Sequence, residues 1–157
     1  MTRVELQRVS ILGTGKMGSA VGLALAAAGL DITYGSRTPE TTSKKFSEFR
    51  NVTVTDIIGA CRAGGPVIVA VPWSATLDLM RQVGSELADR TIIDMTNPTS
   101  PDWSYLTTDG RRSGAEQIAE TLASSRVVKM FNGIIADNFS NPGFSGEQVQ
   151  AFFCGGV

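Results

Sequence analysis

The chain has 157 residues, of which 42% are hydrophobic, so we expect residues 1–157 to bury one core and form a single domain. Its formal net charge of −1, without any basic run, argues against nucleic acid and anionic membranes as partners. The sequence contains no histidine, which excludes His-based acid–base dehydrogenases, Ser-His hydrolysis and most zinc chemistry. We predict no metal site.

Neither a signal peptide nor a membrane-spanning segment is recognisable. The N-terminal residues lack an apolar core, and the longest apolar run, VGLALAAAGL, is too short to cross a bilayer. Cys61 and Cys154 fit no metal-ligand spacing and are expected to be two buried, reduced thiols. We therefore expect a cytoplasmic protein.

The strongest motif lies in residues 9–37. An apolar strand over 9–12 leads into a complete G-x-G-x-x-G, and an apolar helix follows, which is the arrangement that binds a dinucleotide pyrophosphate. In that arrangement Gly13 permits a tight turn, Gly15 lets the phosphates approach the backbone and Gly18 lets helix and strand pack closely. The helix N-terminus then faces the negative charge. The predicted cofactor-binding residues here are Gly13, Thr14, Gly15, Lys16, Met17 and Gly18. The alternative is a tight turn with a structural role only.

The end of the second predicted strand, Asp31 to Gly35, indicates which nicotinamide cofactor is bound. NAD-binding sites usually carry Asp or Glu about 20 residues after the glycines, whereas this chain has Ser36, Arg37 and Thr38. A guanidinium pairs with a 2′-phosphate, and the two hydroxyls can donate hydrogen bonds to it, so NADP(H) is favoured. Alternatively, Arg37 is a solvated loop residue and Thr38 only caps the next helix.

The segment that follows predicts a polar helix, a short strand over 52–54 and a two-turn helix beginning near residues 55–56. The apolar contacts expected from these helices are Phe46, Phe49, Ile57 and Ile58. A continuous β-branched run over 67–71 then indicates a strand covered on both faces of a parallel sheet.

The fourth strand ends at Pro72, and Ser74 is placed to cap the helix after it. In the usual strand order 3-2-1-4-5-6, ligands bind where the order reverses, between strands 1 and 4. Val71 and Pro72 would then lie beside the cofactor, opposite Ser36 and Arg37. Alternatively, Pro72 simply terminates the strand.

The fifth strand, TIIDMTNP, brings Asp94 and Asn97 to the same carboxyl edge, where the nicotinamide and a substrate are expected. Asp94 could act as a general base, but without a partner it is better interpreted as a strand-end residue that bonds neighbouring backbone N–H groups. The long loop over 100–112, with Trp103 and Tyr105, is either a wall of the substrate pocket or an irregular excursion.

A capping box formed by Ser113 and Glu116 opens the next helix, and the sixth strand spans 126–132. Its last residue, Asn132, suits recognition of a carboxamide or forms a turn. A further loop over 138–147 and a last strand over 149–156 complete the prediction. The fold class is α/β: a Rossmann-type, doubly wound, mostly parallel sheet with helices on both faces.

The ordered motifs GTGKMGSAVG, YGSR, VPW, DMTNP, VKMFN and FFCGG resemble those of the NADPH-dependent F420 reductase family. The resemblance implies hydride transfer between NADP(H) and the deazaflavin coenzyme F420, with the two rings stacked at the carboxyl edge. It also implies that Thr14, Ser36, Arg37 and Pro72 contact NADP, and that Ile134 and Ala136 lie near the ring stack. Direct hydride transfer needs alignment more than proton relays, so we assign no catalytic acid or base.

The chain departs from the family at its end. Family members continue for several tens of residues beyond the FFCGG strand, near the second cofactor and the subunit contact, so we expect a truncated or shortened relative. NADP binding is expected to persist, whereas catalysis and homodimer formation depend on the added segment. The alternatives are a non-catalytic NADP-binding module and an NADP-dependent reductase of a small organic substrate.

Overall fold

The computed structural model describes residues 7–144 and 147–155. Seven strands form one sheet in the order β3-β2-β1-β4-β5-β6-β9. The first six of these pair in parallel, and β9 runs antiparallel to β6 at the edge. The predicted Rossmann-type order is confirmed, with its reversal between β1 and β4. The strands of the sheet are β1 (Arg8–Leu12), β2 (Asp31–Gly35), β3 (Val52–Thr55), β4 (Val67–Val69), β5 (Thr91–Asp94), β6 (Arg126–Met130) and β9 (Phe153–Gly155).

Helices lie between successive strands, since parallel strands need long crossover connections. They are α1 (Lys16–Ala27), α2 (Pro39–Ser43), α3 (Ile57–Arg62), α4 (Trp73–Val83), α5 (Gly114–Thr121) and α6 (Asp137–Ser140), with 3₁₀ turns at Lys44–Phe46 and Gly84–Leu87. No helix among the described residues is both long and apolar enough to cross a membrane.

Both faces of the sheet are buried, which explains the continuous apolar runs in its central strands. Because side chains alternate along a strand, Ile11 and Ile68 point into one core while Leu12 and Val69 point into the other. The first core lies under α1, and the second lies under α3, α4 and α5. The carboxyl ends of the strands are left free to build a site.

Several local predictions are confirmed. The helix predicted to begin near residues 55–56 is α3, and the structure shows that Asp56 caps it, its Oδ1 accepting a hydrogen bond from the Gly59 N–H at 2.6 Å. The capping box is present, because the Ser113 hydroxyl accepts from the Glu116 N–H and the Glu116 carboxylate accepts from the Ser113 N–H. Gly29 stands directly after the apolar helical pattern, where glycine is expected to end a helix, and it follows α1 with φ of +92°, the left-handed conformation that favours glycine.

Other local predictions are wrong. Phe46 is buried, but Phe49 is exposed because the helix shortens to a 3₁₀ turn that ends at Phe46. The predicted contacts of Ile57 and Ile58 are present, because both pack against the core, but these residues are only half-buried, and the fully buried residues of α3 are Ala60 and Cys61. Ser74 does not cap α4, which begins one residue earlier, after Pro72.

The C-terminal part also differs from the prediction. Residues 138–147 were expected to be a loop, but α6 begins at Asp137 and a small antiparallel pair forms from β7 (Gly143–Phe144) and β8 (Glu147–Gln148). The last strand is shorter than predicted and starts at Phe153, and residue 156 of the prediction lies outside the described residues. Cys154 lies on this edge strand and is exposed, so only Cys61 is a buried thiol.

Candidate nucleotide site at the carboxyl edge of the sheet

Glycine is required at two positions here, one in the turn between β1 and α1 and one in the first turn of α1. Gly13 has φ of +112°, and a Cβ there would stand 2.5 Å from the carbonyl oxygen of Ala70, just after β4. A Cβ on Gly18 would stand 2.1 Å from the carbonyl oxygen of Gly13. Both distances are far below van der Waals contact. The turn role predicted for Gly13 and the packing role predicted for Gly18 therefore agree with the structure.

Gly15 differs from the other two glycines because it faces open space. It has an ordinary extended backbone, with φ of −70°, and a Cβ there would meet no atom within 4 Å. Neither the fold nor the backbone conformation requires glycine at this position. Because Gly15 has no side chain, a ligand has room to approach the backbone from outside.

The N-terminus of α1 opens into the same space. Gly15 is its N-cap residue and offers no capping side chain, and no acidic residue lies in the first turn. The first N–H groups of a helix have no partner within the helix, so they are available to an anion. Lys16 is exposed and pairs with Asp137 of α6 at 3.2 Å, whereas Met17 is half-buried and packs on the core. Of these two predicted cofactor-binding residues, only Lys16 extends outward.

The segment after β2 lies next to this turn, since Gly35 pairs with Leu12. Ser36 is 6% exposed, and its Oγ accepts a hydrogen bond from the Thr38 N–H and lies 2.8 Å from the Thr42 hydroxyl. Ser36 therefore shapes the corner through bonds within the chain. Thr38 is exposed at the N-cap position of α2, but its side chain makes no capping hydrogen bond.

Arg37 is exposed at the tip of this corner. It forms neither an ion pair nor a side-chain hydrogen bond with any residue in the described part of the chain. No carboxylate occupies residues 36–38. The corner next to the glycine turn therefore presents a positive charge with no ion-pair partner among the described residues, which fits both a phosphate ligand and a solvated loop residue.

Val71 and Pro72 border the turn on its other side. Val71 Cγ1 would lie 3.2 Å from a Cβ on Gly13, so it contacts the turn directly. Pro72 is exposed and serves as the N-cap residue of α4. Because β4 ends at Val69, Pro72 is not required to stop the strand, but it does start the helix.

Asn97 and Asn132 meet at the carboxyl ends of β5 and β6. The Asn97 Nδ2 donates to the backbone carbonyl oxygen of Asn132 at 2.9 Å, and the Asn132 Nδ2 donates to the side-chain Oδ1 of Asn97 at 3.2 Å. Both predicted residues thus come together at the expected edge, as a mutual amide pair. Beyond them, Ile134 is half-buried and Ala136 is 6% exposed at the start of α6, so Ala136 offers almost no surface to a ligand.

The contacts of Asp94 agree with its interpretation as a strand-end residue with a structural role. It is fully buried, and its Oδ1 accepts hydrogen bonds from the Thr96 N–H and the Thr96 hydroxyl at 2.8 and 2.7 Å. Its Oδ2 lies 2.9 Å from Lys129 Nζ. With both oxygens occupied and no exposure to solvent, Asp94 is not available as a general base.

Two lysines in this region were missed by sequence reasoning. Lys129 sits within the apolar strand β6, and a charged residue in such a run was a signal that a buried partner exists. Lys45 contacts the glycine turn, with its Nζ 3.1 Å from the Thr14 carbonyl oxygen. Because 31 residues separate the two, no local pattern could have shown this contact.

A family model described as NADP oxidoreductase, coenzyme F420-dependent, matches residues 8–98, which is more than half of the chain. The chain belongs to this family. The match runs from the first residue of β1 to just beyond β5, so it includes the glycine turn, the Arg37 corner and Asn97. The expected family resemblance is confirmed, and the family is one of NADP-dependent oxidoreductases.

Individual relatives agree with this membership. The F420-dependent NADP reductase of Methanothermobacter thermautotrophicus is 28% identical over 107 residues, which are 62% of this chain and 46% of that protein. The alignment thus spans about half the length of that curated relative.

Two solved structures share the fold. A protein of Arthrobacter sp. FB24, provisionally named an F420-dependent NADP reductase, has a TM-score of 0.86 at 24% identity, over 96% of this chain and 74% of that one. A hypothetical protein of Sinorhizobium meliloti has a TM-score of 0.76 at 26% identity, over 89% of this chain and 68% of that one.

Proposed function

We propose that this chain binds NADP(H) across the carboxyl edge of the sheet, with the pyrophosphate over Gly15. The observation that carries the proposal is the open space at Gly15, at the unpaired N-terminus of α1. A pyrophosphate there would accept hydrogen bonds from backbone N–H groups and meet the positive end of the helix dipole. The glycine turn fits this group because Gly15 has no side chain to exclude it.

The preference for NADP(H) over NAD(H) is proposed to come from Arg37. Its guanidinium stands at the end of β2, beside the glycine turn, where a dinucleotide's adenosine ribose is bound in this fold. A 2′-phosphate would supply the negative charge that Arg37 lacks among the described residues. Thr38 is exposed and can donate from its hydroxyl, whereas Ser36 is buried and contributes mainly by holding the corner.

The nicotinamide half is proposed to lie towards β4, β5 and β6. Val71 and Pro72 would flank it, and the paired amides of Asn97 and Asn132 could open to bond its carboxamide. Ile134 could provide an apolar surface beside the ring. When bound, the nicotinamide supplies the hydride, so the residues of the chain are required to align rings and exclude water rather than to transfer protons.

The hydride acceptor is proposed to be coenzyme F420 or a similar deazaflavin. Membership of an F420-dependent family and the name of the Methanothermobacter relative support this acceptor.

One titration series tests the proposal. The chain is titrated with NADPH, NADH and oxidised F420, and absorbance at the deazaflavin band is followed after NADPH is added. We expect saturable NADPH binding, weaker NADH binding and loss of the F420 absorbance. Saturable NADPH binding without F420 turnover would overturn the proposal that F420 is the acceptor. The remaining interpretations would then be an NADP-binding module or a reductase of another substrate. Absence of nucleotide binding would overturn the proposal as a whole.

A further inference from the structure

Lys45 links the α2 side of the site to the glycine turn. Its Nζ donates to the Thr14 carbonyl oxygen at 3.1 Å and to the Ser19 Oγ at 2.8 Å. The Ser19 hydroxyl in turn donates to the same Thr14 carbonyl oxygen at 3.0 Å. Two donors, the Lys45 ammonium and the Ser19 hydroxyl, therefore converge on the Thr14–Gly15 peptide of the turn.

The position of Lys45 is fixed by the residue that follows it. Phe46 is 2% exposed and stacks on the Tyr34 ring, with the ring centroids 4.5 Å apart. The Tyr34 hydroxyl lies 3.1 Å from the carbonyl oxygens of Gly18 and Ser19, which joins the stack to α1. The backbone that follows Lys45 is thus anchored in the core, whereas Lys45 itself is exposed and its side chain reaches the turn from the surface.

The Thr14 carbonyl determines where the next amide points. The described residues contain no cis peptide bond, and in a planar trans peptide the C=O and the following N–H point in opposite directions. Because Lys45 and Ser19 both bond the Thr14 C=O, the Gly15 N–H is directed away from them. Gly15 is exposed and faces open space, so its N–H is presented to the proposed pyrophosphate position.

The positive charge of Lys45 is opposite to the negative charge of a pyrophosphate. Among the described residues, no carboxylate forms an ion pair with its ammonium group. The ammonium is instead coordinated by neutral oxygen atoms of Thr14 and Ser19. Its full positive charge therefore lies directly behind the turn that a pyrophosphate would approach.

We propose that Lys45 is a positioning residue for the cofactor: it holds the Thr14–Gly15 peptide so that the Gly15 amide faces the pyrophosphate. This inference rests on the proposed NADP(H) binding. Since NADPH and NADH share the pyrophosphate, Lys45 acts on both nucleotides, unlike Arg37, which acts on the 2′-phosphate alone.

The test compares Lys45→Met with Lys44→Met as a matched control. Lys44 is the adjacent residue, it is exposed, and its side chain makes none of these contacts. Hydrogen bonds to charged groups predict that Lys45→Met raises the Kd of both NADPH and NADH by about ten- to hundredfold, with their ratio unchanged. Lys44→Met should leave both values near wild type, and Lys45→Arg should recover part of the loss.

Two results would overturn the inference while the proposed function stands. Unchanged affinity of Lys45→Met for both nucleotides would show that the turn does not need Lys45. A loss confined to NADPH would mean that Lys45 contacts the 2′-phosphate instead. If wild type itself binds neither nucleotide, the proposed function fails together with the inference.

Should Lys45→Met not fold, Ser19→Ala carries the same test. It removes the hydroxyl that bridges Lys45 and the Thr14 carbonyl. We expect weaker binding of both nucleotides in equal proportion, by a smaller factor because Lys45 still reaches Thr14 directly. Unaltered affinity in this variant would overturn the role assigned to the cluster.

Discussion

Asp94 Oδ2 and Lys129 Nζ form a buried ion pair at 2.9 Å that joins β5 to β6 directly beneath the candidate site. The Asp94 side chain is fully buried and that of Lys129 is 16% exposed. Lys129 also donates to the Thr96 carbonyl oxygen. The polar ends of these two strands, including Asn97, are therefore held in place by charges that the solvent hardly reaches.

Removal of one partner of this pair should be costly. We expect Lys129→Met to lower the free energy of unfolding by about 3 kcal/mol, because Asp94 is left as a buried charge without its counter-ion. The double variant Asp94→Asn/Lys129→Met should be more stable than Lys129→Met alone, since asparagine is neutral and still accepts the Thr96 hydrogen bonds. Urea unfolding measures both; a double variant no more stable than the single one would contradict the explanation.

Arg37→Ala tests the charge that selects the cofactor. We expect its Kd for NADPH to rise about ten- to hundredfold, while its Kd for NADH changes little, because only NADPH carries the 2′-phosphate. Arg50→Ala is the control, since Arg50 is also exposed but lies in the turn before β3. Isothermal titration of both variants gives the values. Equal weakening of the two nucleotides by Arg37→Ala would remove Arg37 from the 2′-phosphate.

Gly15 and Gly18 should respond to substitution in opposite ways. Gly15→Val should fold, because a Cβ there meets no atom and the backbone is extended. It should nevertheless lose its affinity for both nucleotides. Gly18→Ala should lose roughly 1–3 kcal/mol of stability or more, because its Cβ would overlap the Gly13 carbonyl. Thermal unfolding and NADPH binding distinguish the two effects. A Gly15→Val protein that still binds NADPH would place the pyrophosphate elsewhere.

Cys61 should make the fold sensitive to alkali. Burial raises the pKa of its thiol from about 9 to about 11, so the folded state retains a proton that the unfolded state has released. Stability is therefore fully present below pH 9 and falls as the pH rises towards 11, by roughly 1 kcal/mol per pH unit. Urea unfolding of wild type and Cys61→Ala between pH 8 and 10 tests this prediction.

The matched control for the alkaline effect is Cys154→Ala, because Cys154 is exposed. It should retain the pH dependence of wild type, whereas Cys61→Ala should lose most of it. Burial also raises the pKa of Tyr34, so the measurement stops at pH 10. Identical slopes in all three proteins would show that Cys61 does not carry the effect.

The position of the glycine turn and the charge at Arg37 could be predicted from the sequence because each depends on neighbours in the chain, whereas the order of the sheet was expected from the usual strand order of this fold. An apolar strand followed by G-x-G-x-x-G and a helix specifies its own geometry, since Gly13 and Gly18 are needed for local reasons of backbone conformation and close approach. Likewise, Ser113 and Glu116 are three residues apart and find each other within one helical turn.

Only the tertiary structure showed the contacts that join distant segments. Lys45 reaches Thr14 because Phe46 stacks on Tyr34, and Lys129 pairs with Asp94 because β5 and β6 are adjacent in register. Long polar side chains can satisfy their charge in many ways, so their partners depend on which strands and turns the folded chain brings together. Local sequence patterns therefore predicted the glycine turn and its neighbouring residues, whereas the positions of Lys45 and Lys129 depend on how distant segments pack in the folded chain.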